Sequence, residues 1–236
     1  MYKLDITVLH DGTVSTYSRG ITIEYSSLKD VLIPDDVSRV SIVSYTDLSI
    51  DITDVIGIHN DQLKELFLNT VDVSPLNGAK YNNLTTLRMA SCINTLDDRI
   101  DLSGCPALGL LHVIDTRIGL LPDITACTEL CIVVAQRSDL SNDSLNNLDL
   151  SALEQMQFFI IDHCLIQGVL PEYIQHWSKL LALSLQYNML TGGIPQSYSK
   201  LAKLKRLSLS GNKLEGDISV ITTLNELFTL NLPDSD

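Results

Sequence analysis

Apolar residues recur along this chain at a spacing that neither one helix nor one strand explains. From Leu180 the pattern runs Leu180, Leu183, Leu185, Asn188, Leu190, Gly192, Ile194 and Pro195. Twenty-four residues later it returns as Leu204, Leu207, Leu209, Asn212, Leu214, Gly216 and Ile218. Twenty-four residues earlier it reads Met156, Phe159, Ile161, Cys164, Ile166, Gly168, Leu170 and Pro171. Inside each unit a short segment alternates apolar residues with others, which predicts a strand with one buried face. A fixed period of this length predicts stacked coils.

The same spacing drifts upstream. Leu130, Val133, Ala135, Ser138 and Leu140 make one unit, and Leu108, Leu111, Val113, Thr116 and Ile118 another. Leu84, Leu87, Met89 and Cys92 follow, with Asn94 where an apolar residue belongs. Leu63, Leu66, Leu68, Val71 and Val73 fit except at the Asn/Cys position, and Val37, Val40, Ile42 and Tyr45 fit more loosely. The last unit is cut short after Leu227, Leu230 and Leu232.

This L-x-x-L-x-L-x-x-N/C-x-L pattern with its G-x-I/L-P tail resembles that of leucine-rich repeat proteins, over roughly residues 37 to 236. The resemblance implies an α/β solenoid, a right-handed curved superhelix of about nine units with a parallel β-sheet on its concave side. Stacking one strand per coil makes the sheet side shorter than the outer side, so the stack curves. The Asn or Cys turns inward, where it bonds backbone groups of the neighbouring coil as a ladder. Asn188 and Asn212 suit this role; Cys92, Cys164, Thr116 and Ser138 form weaker versions, and Val71 forms none. The N-terminal half is therefore expected to be less regular. Segments 102–108 and 121–130 look like bacterial repeats, whereas the tail at 192–195 looks plant-type, so the chain mixes both flavours.

Residues 1–36 break the pattern. Tyr2, Leu4, Ile6 and Val8 alternate with polar neighbours, His10-Asp11-Gly12 signals a turn, and Val14–Tyr17 and Ile21–Tyr25 supply two further strands. They predict an antiparallel hairpin or meander capping the first coil, ahead of a solenoid over 37–236. The other end shows no equivalent cap, which makes self-association through it, or assembly into a larger surface or virion complex, an alternative role.

Composition narrows the partners. Sixteen basic against twenty-nine acidic residues give a net charge of −13, which argues against nucleic acid. No apolar stretch approaches the ~18 residues of a membrane span. Met1-Tyr2-Lys3-Leu4-Asp5 begins no secretion signal, which, with core-like cysteines, favours an intracellular or assembled location. Cys105 and Cys127 hold equivalent positions in adjacent units, within reach of a disulfide, although neighbouring reduced thiols are the simpler expectation. No metal-ligand spacing, phosphate loop or nucleophile arrangement is present, so neither cofactor nor enzyme activity is expected. The His–Asp neighbours, His112 with Asp115 and His163 with Asp162, are read as polar binding-face residues.

The alternation assigns the concave face. Unit 108 presents Leu110, His112 and Ile114; unit 130 presents Ile132, Val134 and Gln136; unit 156 presents Phe158, Ile160 and Asp162. Six apolar side chains thus share three consecutive strands about 4.8 Å apart. His112, Gln136, Arg137, Asp162, His163 and Tyr187 form a polar rim. This predicts a non-catalytic module that binds a protein or peptide on its concave face. The net charge supports another alternative, an acidic inhibitor or receptor for a basic protein.

Overall fold

A computed structural model describes residues 5–9, 14–17, 20–24, 39–43 and 62–233, apart from 97, 142 and 144. Val37 and Tyr45 of the first expected unit, and Tyr2, Leu4 and Tyr25, lie outside the described residues. In chain order the strands are β1 (Asp5–Leu9), β2 (Val14–Tyr17), β3 (Gly20–Glu24), β4 (Arg39–Val43), β5 (Glu65–Asn69), β6 (Thr86–Ala90), β7 (Leu110–Ile114) and β8 (Ile132–Gln136). They continue as β9 (Phe158–Asp162), β10 (Gln167–Val169), β11 (Ala182–Ser184), β12 (Met189–Gly192), β13 (Arg206–Ser208), β14 (Lys213–Leu214) and β15 (Thr229–Asn231).

The long sheet runs through β15, β13, β11, β9, β8, β7, β6, β5 and β4, each strand parallel to its neighbours. Its register never slips. Leu66, Leu87, Leu111, Val133, Phe159, Leu183, Leu207 and Leu230 form one continuous row. In β5, β7, β8 and β9 the second and fourth residues are buried and the others half-buried, the expected alternation. The buried rows belong to one hydrophobic core extending from Val40 to Leu224. The fold is the expected curved leucine-rich repeat solenoid. Its outer limbs hold 3-10 turns, at Ser74–Leu76, Leu145–Asn147, Glu172–His176, Gln196–Lys200 and Ser219–Thr223, and no α-helix among the described residues. The plant-type tails pair in parallel as a second sheet, β10-β12-β14, while upstream coils carry only single bridges there.

The N-terminal strands depart from the expected meander. β2 and β3 do form an antiparallel hairpin. β1 instead pairs in parallel with both β3 and β4, giving the order β4-β1-β3-β2. An alternating strand carries the same apolar period in either direction. Here the register sets Ile6 and Val8 opposite Val40 and Ile42, so β1 continues the parallel ladder as one more rib.

The inward ladder forms as its side chains allow. Asn188 Nδ2 donates to the Ile161 carbonyl (2.6 Å) and its Oδ1 accepts from the Cys164 amide (3.0 Å). Asn212 repeats this with Leu185 O (2.7 Å) and the Leu190 amide (3.1 Å). Cys92 and Ser138 reach carbonyls within their own coil and the one before. Thr116 is the exception: its buried hydroxyl has no hydrogen-bond partner among the described residues. Thr116→Val is therefore expected to leave stability unchanged or raise it by up to about 1 kcal/mol, because no bond is lost and a buried polar group goes. Ser138→Ala, which removes the acceptor for the Thr116 amide, should lose about 1 kcal/mol or more. Urea unfolding of both variants checks the contrast.

Two further features lock the coils. Trp177 is fully buried, donates from Nε1 to Leu150 O (3.0 Å), and packs its ring 4.9 Å from Phe159 and 5.6 Å from Tyr173. Arg99 and Asp143 form a buried bidentate ion pair (2.9 and 3.0 Å) between the coils beginning at Leu84 and Leu130, reaching past the coil between them. The same carboxylate accepts from the Leu121 amide (2.8 Å) and Asn147 Nδ2 (3.1 Å).

Candidate functional site

The three central ribs place the expected residues together. Leu110, Ile132 and Phe158 share one row; His112, Val134 and Ile160 the next; Ile114, Gln136 and Asp162 the third. All nine are half-buried, while their alternate neighbours are sealed in the core. The described parts of the chain leave the apolar block partly open to solvent. Burial, with Arg88 on the adjacent strand, pushes the His112 imidazolium pKa down. His112 is therefore neutral at physiological pH, and the block carries no charge at its centre.

Beyond the block the face changes character. Ala182, Ser184 and Ser208, which the alternation also puts on this side, are buried. Small side chains there are overtopped by their neighbours. Ser184 Oγ donates to Asp162 (2.7 Å), which also accepts the Gln186 amide (2.9 Å), and Asn231 Nδ2 donates to Ser208 Oγ (3.2 Å). Gln186 Oε1 in turn accepts from Ser210 (2.9 Å).

At the ends of the strands β5 to β9, β11 and β13 the chain turns through a left-handed residue. Thr70, Ser91, Asp115, Arg137, His163, Tyr187 and Gly211 all have φ between 49° and 69°. From Thr70 to Tyr187, each donates its amide to a carbonyl of the next coil at 2.9–3.1 Å. These residues form one rim. Arg137 pairs with Asp115 (2.8 Å), an exposed contact that contributes little to stability. His163 stacks on Tyr187, with ring centroids 4.3 Å apart and planes 16° apart. Tyr187 lies over Gly211, where an added Cβ would sit 2.4 Å from the ring. Neither conceivable His–Asp pair forms, since Asp115 is engaged by Arg137, and Asp162 by Ser184 and Gln186.

The five cysteines are free thiols. Burial pushes Cys92, Cys105 and Cys164 up to about 11. Burial, then nearby Cys105, takes Cys127 to about 12. These four are protonated core residues at neutral pH.

A recurrent motif escaped the sequence reading. Asp-apolar-Ser/Thr occurs at Asp72, Asp101, Asp123, Asp139, Asp149 and Asp217, and each carboxylate accepts the amide two residues on. These turns lie on the limb returning from one strand to the next and account for six of the acidic residues. Their common spacing was the available signal. Asp72 is the most enclosed of them. Burial pushes its carboxyl up, but hydrogen bonds from Thr95 and Ser74 outweigh this and hold it below the ordinary value. A lowered folded pKa contributes stability that is present above the unfolded value and lost as pH falls through the folded one. Asp72→Asn should therefore reduce stability at pH 7 and shrink the loss between neutral pH and pH about 3. Thermal melts across that range check this, and an unchanged acid slope would contradict it.

Residues 154–214 match the leucine rich repeat family model. That stretch is about a quarter of the chain, and the likeness of the rest to leucine-rich repeat proteins is one of fold. No curated protein sequence matches it. Solved leucine-rich repeat proteins share its fold. A Leptospira interrogans leucine-rich repeat protein aligns at TM-score 0.63 and 20% identity over 87% of this chain and 52% of its own. The plant peptide hormone receptor RGFR1 in complex with RGF2 aligns at 0.55 and 22%, over 84% of this chain and 32% of its own. An internalin C2 from Listeria monocytogenes aligns at 0.55 and 18%, over 74% and 73%. The chain thus spans about half the length of the Leptospira protein and a third of the plant receptor. No helix among its described residues is long and apolar enough to cross a membrane.

Proposed function

We propose that the concave face over β7, β8 and β9 binds an extended segment of a partner protein, without catalysis. The observation that carries this is the open apolar block of Leu110, Ile114, Ile132, Val134, Phe158 and Ile160, held in register on adjacent ribs. Contiguous apolar surface of this kind commonly marks an interaction site. Gln136, Arg137, Asp162, His163 and Tyr187 rim it, and rigid strands lose little ordering entropy on association. A plant neighbour in fold, the peptide hormone receptor RGFR1, was solved in complex with RGF2, which agrees with this reading. In the same proposal residues 1–36 cap the solenoid of 37–236.

The test is selection from a random twelve-residue displayed peptide library on the purified chain. Enriched peptides should bind Val134→Ala/Phe158→Ala at least about tenfold more weakly, the scale of one or two lost apolar contacts. Equal binding by both proteins would overturn the proposal. Unfolding of the double variant would show that these side chains belong to the core.

A second reading is end-to-end assembly, favoured by exposure of Ile218 (53%), Phe228 (71%) and Leu230 (42%) on the last two described coils. Sedimentation tests it: a monomer at high concentration removes it.

A further inference from the structure

The charges of this chain are unevenly divided. From Tyr173 to Leu214 there are six basic residues, Lys179, Lys200, Lys203, Lys205, Arg206 and Lys213, and no Asp or Glu. The remainder holds ten basic and all twenty-nine acidic residues, so a net −13 chain consists of a +6 band and a −19 remainder. The band coincides with the two plant-type coils adjoining the apolar block.

The cations of the band are also differently employed. Arg39, Arg99 and Arg137 each sit in an ion pair with a carboxylate. Among the described residues Lys203, Lys205 and Arg206 have no such pair, and all three are exposed. Lys179 and Lys200 donate to the neutral amides of Gln155 and Gln175. Lys179 and Lys203 hold equivalent positions, one residue before Leu180 and Leu204. Lys205 precedes the strand, and Arg206 opens it.

Register connects the band to the apolar block. One row of the concave face reads Leu110, Ile132, Phe158, Ala182 and Arg206. Ala182 is buried, so the row passes from apolar anchors to a cation across one small residue. Phe158 and Arg206 are two strand steps apart, about 10 Å at ~4.8 Å per step, which about three extended residues cover at ~3.3 Å each. Asp162 lies at the opposite ends of the strands and is already bonded by Ser184 and Gln186. Neither Lys205 nor Arg206 forms an ion pair among the described residues.

We infer that the partner segment is acidic on one flank: apolar residues seat on Ile132 and Phe158, and a carboxylate about three residues away meets Lys205 and Arg206, with Lys179 and Lys203 behind them. This rests on the concave-face proposal and adds the chemistry and direction of its occupant. The segment crosses the ribs, with its apolar part over β7–β9 and its anionic part over β11–β13. The partner is the opposite of the one the net charge suggests, because the site sees local rather than total charge.

The same displayed peptides test it. Enriched sequences should carry Asp or Glu about three residues to one side of an apolar pair. Lys205→Glu/Arg206→Glu, both exposed, should weaken them by about tenfold or more while leaving the circular dichroism unchanged. Raising salt from 50 to 500 mM should weaken binding to the parent chain and change it little for this variant. Peptides that need Phe158 but show no acidic flank, or that bind the charge-reversed variant equally, would overturn the inference and leave the concave-face proposal standing. Enrichment of basic flanks would do the same. A selection that enriches nothing, or only peptides indifferent to Val134→Ala/Phe158→Ala, would remove both.

Discussion

Trp177→Ala is expected to destabilise the protein by about 3–5 kcal/mol, the range for deleting a large buried aromatic side chain. The indole lies between Phe159 of one rib and Tyr173 of the outer limb, so its loss opens a cavity reaching from the sheet side to the convex side. It also deprives the Leu150 carbonyl of its Nε1–H donor. Trp177→Phe fills most of the volume and restores no donor, and should recover more than half of the loss. Urea unfolding followed by circular dichroism separates the two contributions. A loss below about 1 kcal/mol for alanine would mean that the coil collapses onto the space, contrary to the packing described.

The second large effect is at Asp143. Asp143→Ala should cost about 3–5 kcal/mol, because it leaves the Arg99 guanidinium buried without its counter-charge. The side chains are only 15% and 4% exposed, which sets this pair apart from the exposed Arg39–Glu65 and Arg137–Asp115 contacts. Arg99→Met/Asp143→Leu is expected to be less harmful than Asp143→Ala alone, since no charge is stranded. The double variant still loses the acceptor for the Leu121 amide, so it should not reach the parent's stability. Additive losses at the two positions would show that the ion pair is not the coupling.

Much of this fold is legible in the residues. The 24-residue recurrence from Met156 to Leu204 fixes the ribs and their register, and in the all-apolar run Phe158-Phe159-Ile160-Ile161 it is Phe159 and Ile161 that are buried, as their places in that recurrence require. Other parts are not legible, for identifiable reasons. The parallel pairing of β1 depends on contacts with β4, thirty-four residues away, which a local alternating pattern does not encode. The Arg99–Asp143 pair spans 44 residues with no motif around it. The burial of Ser184 and Ser208 follows from taller side chains on adjacent ribs. Of the candidate site, alternation gave the rows correctly, but the closeness of His163 and Tyr187 comes from the left-handed turn, to which the spacing is blind.

That turn has a consequence for how far the molecule can be hardened. Six of its seven positions carry residues other than glycine in a conformation that L-amino acids resist, at about 1 kcal/mol or more apiece. Glycine or asparagine at Thr70, Ser91 or Asp115 would relieve this penalty, whereas the same change at Arg137, His163 or Tyr187 would strip the rim of the proposed groove. Heat tolerance and ligand capture therefore compete for the same backbone positions, and an engineer seeking the first without losing the second has only the early coils to work with.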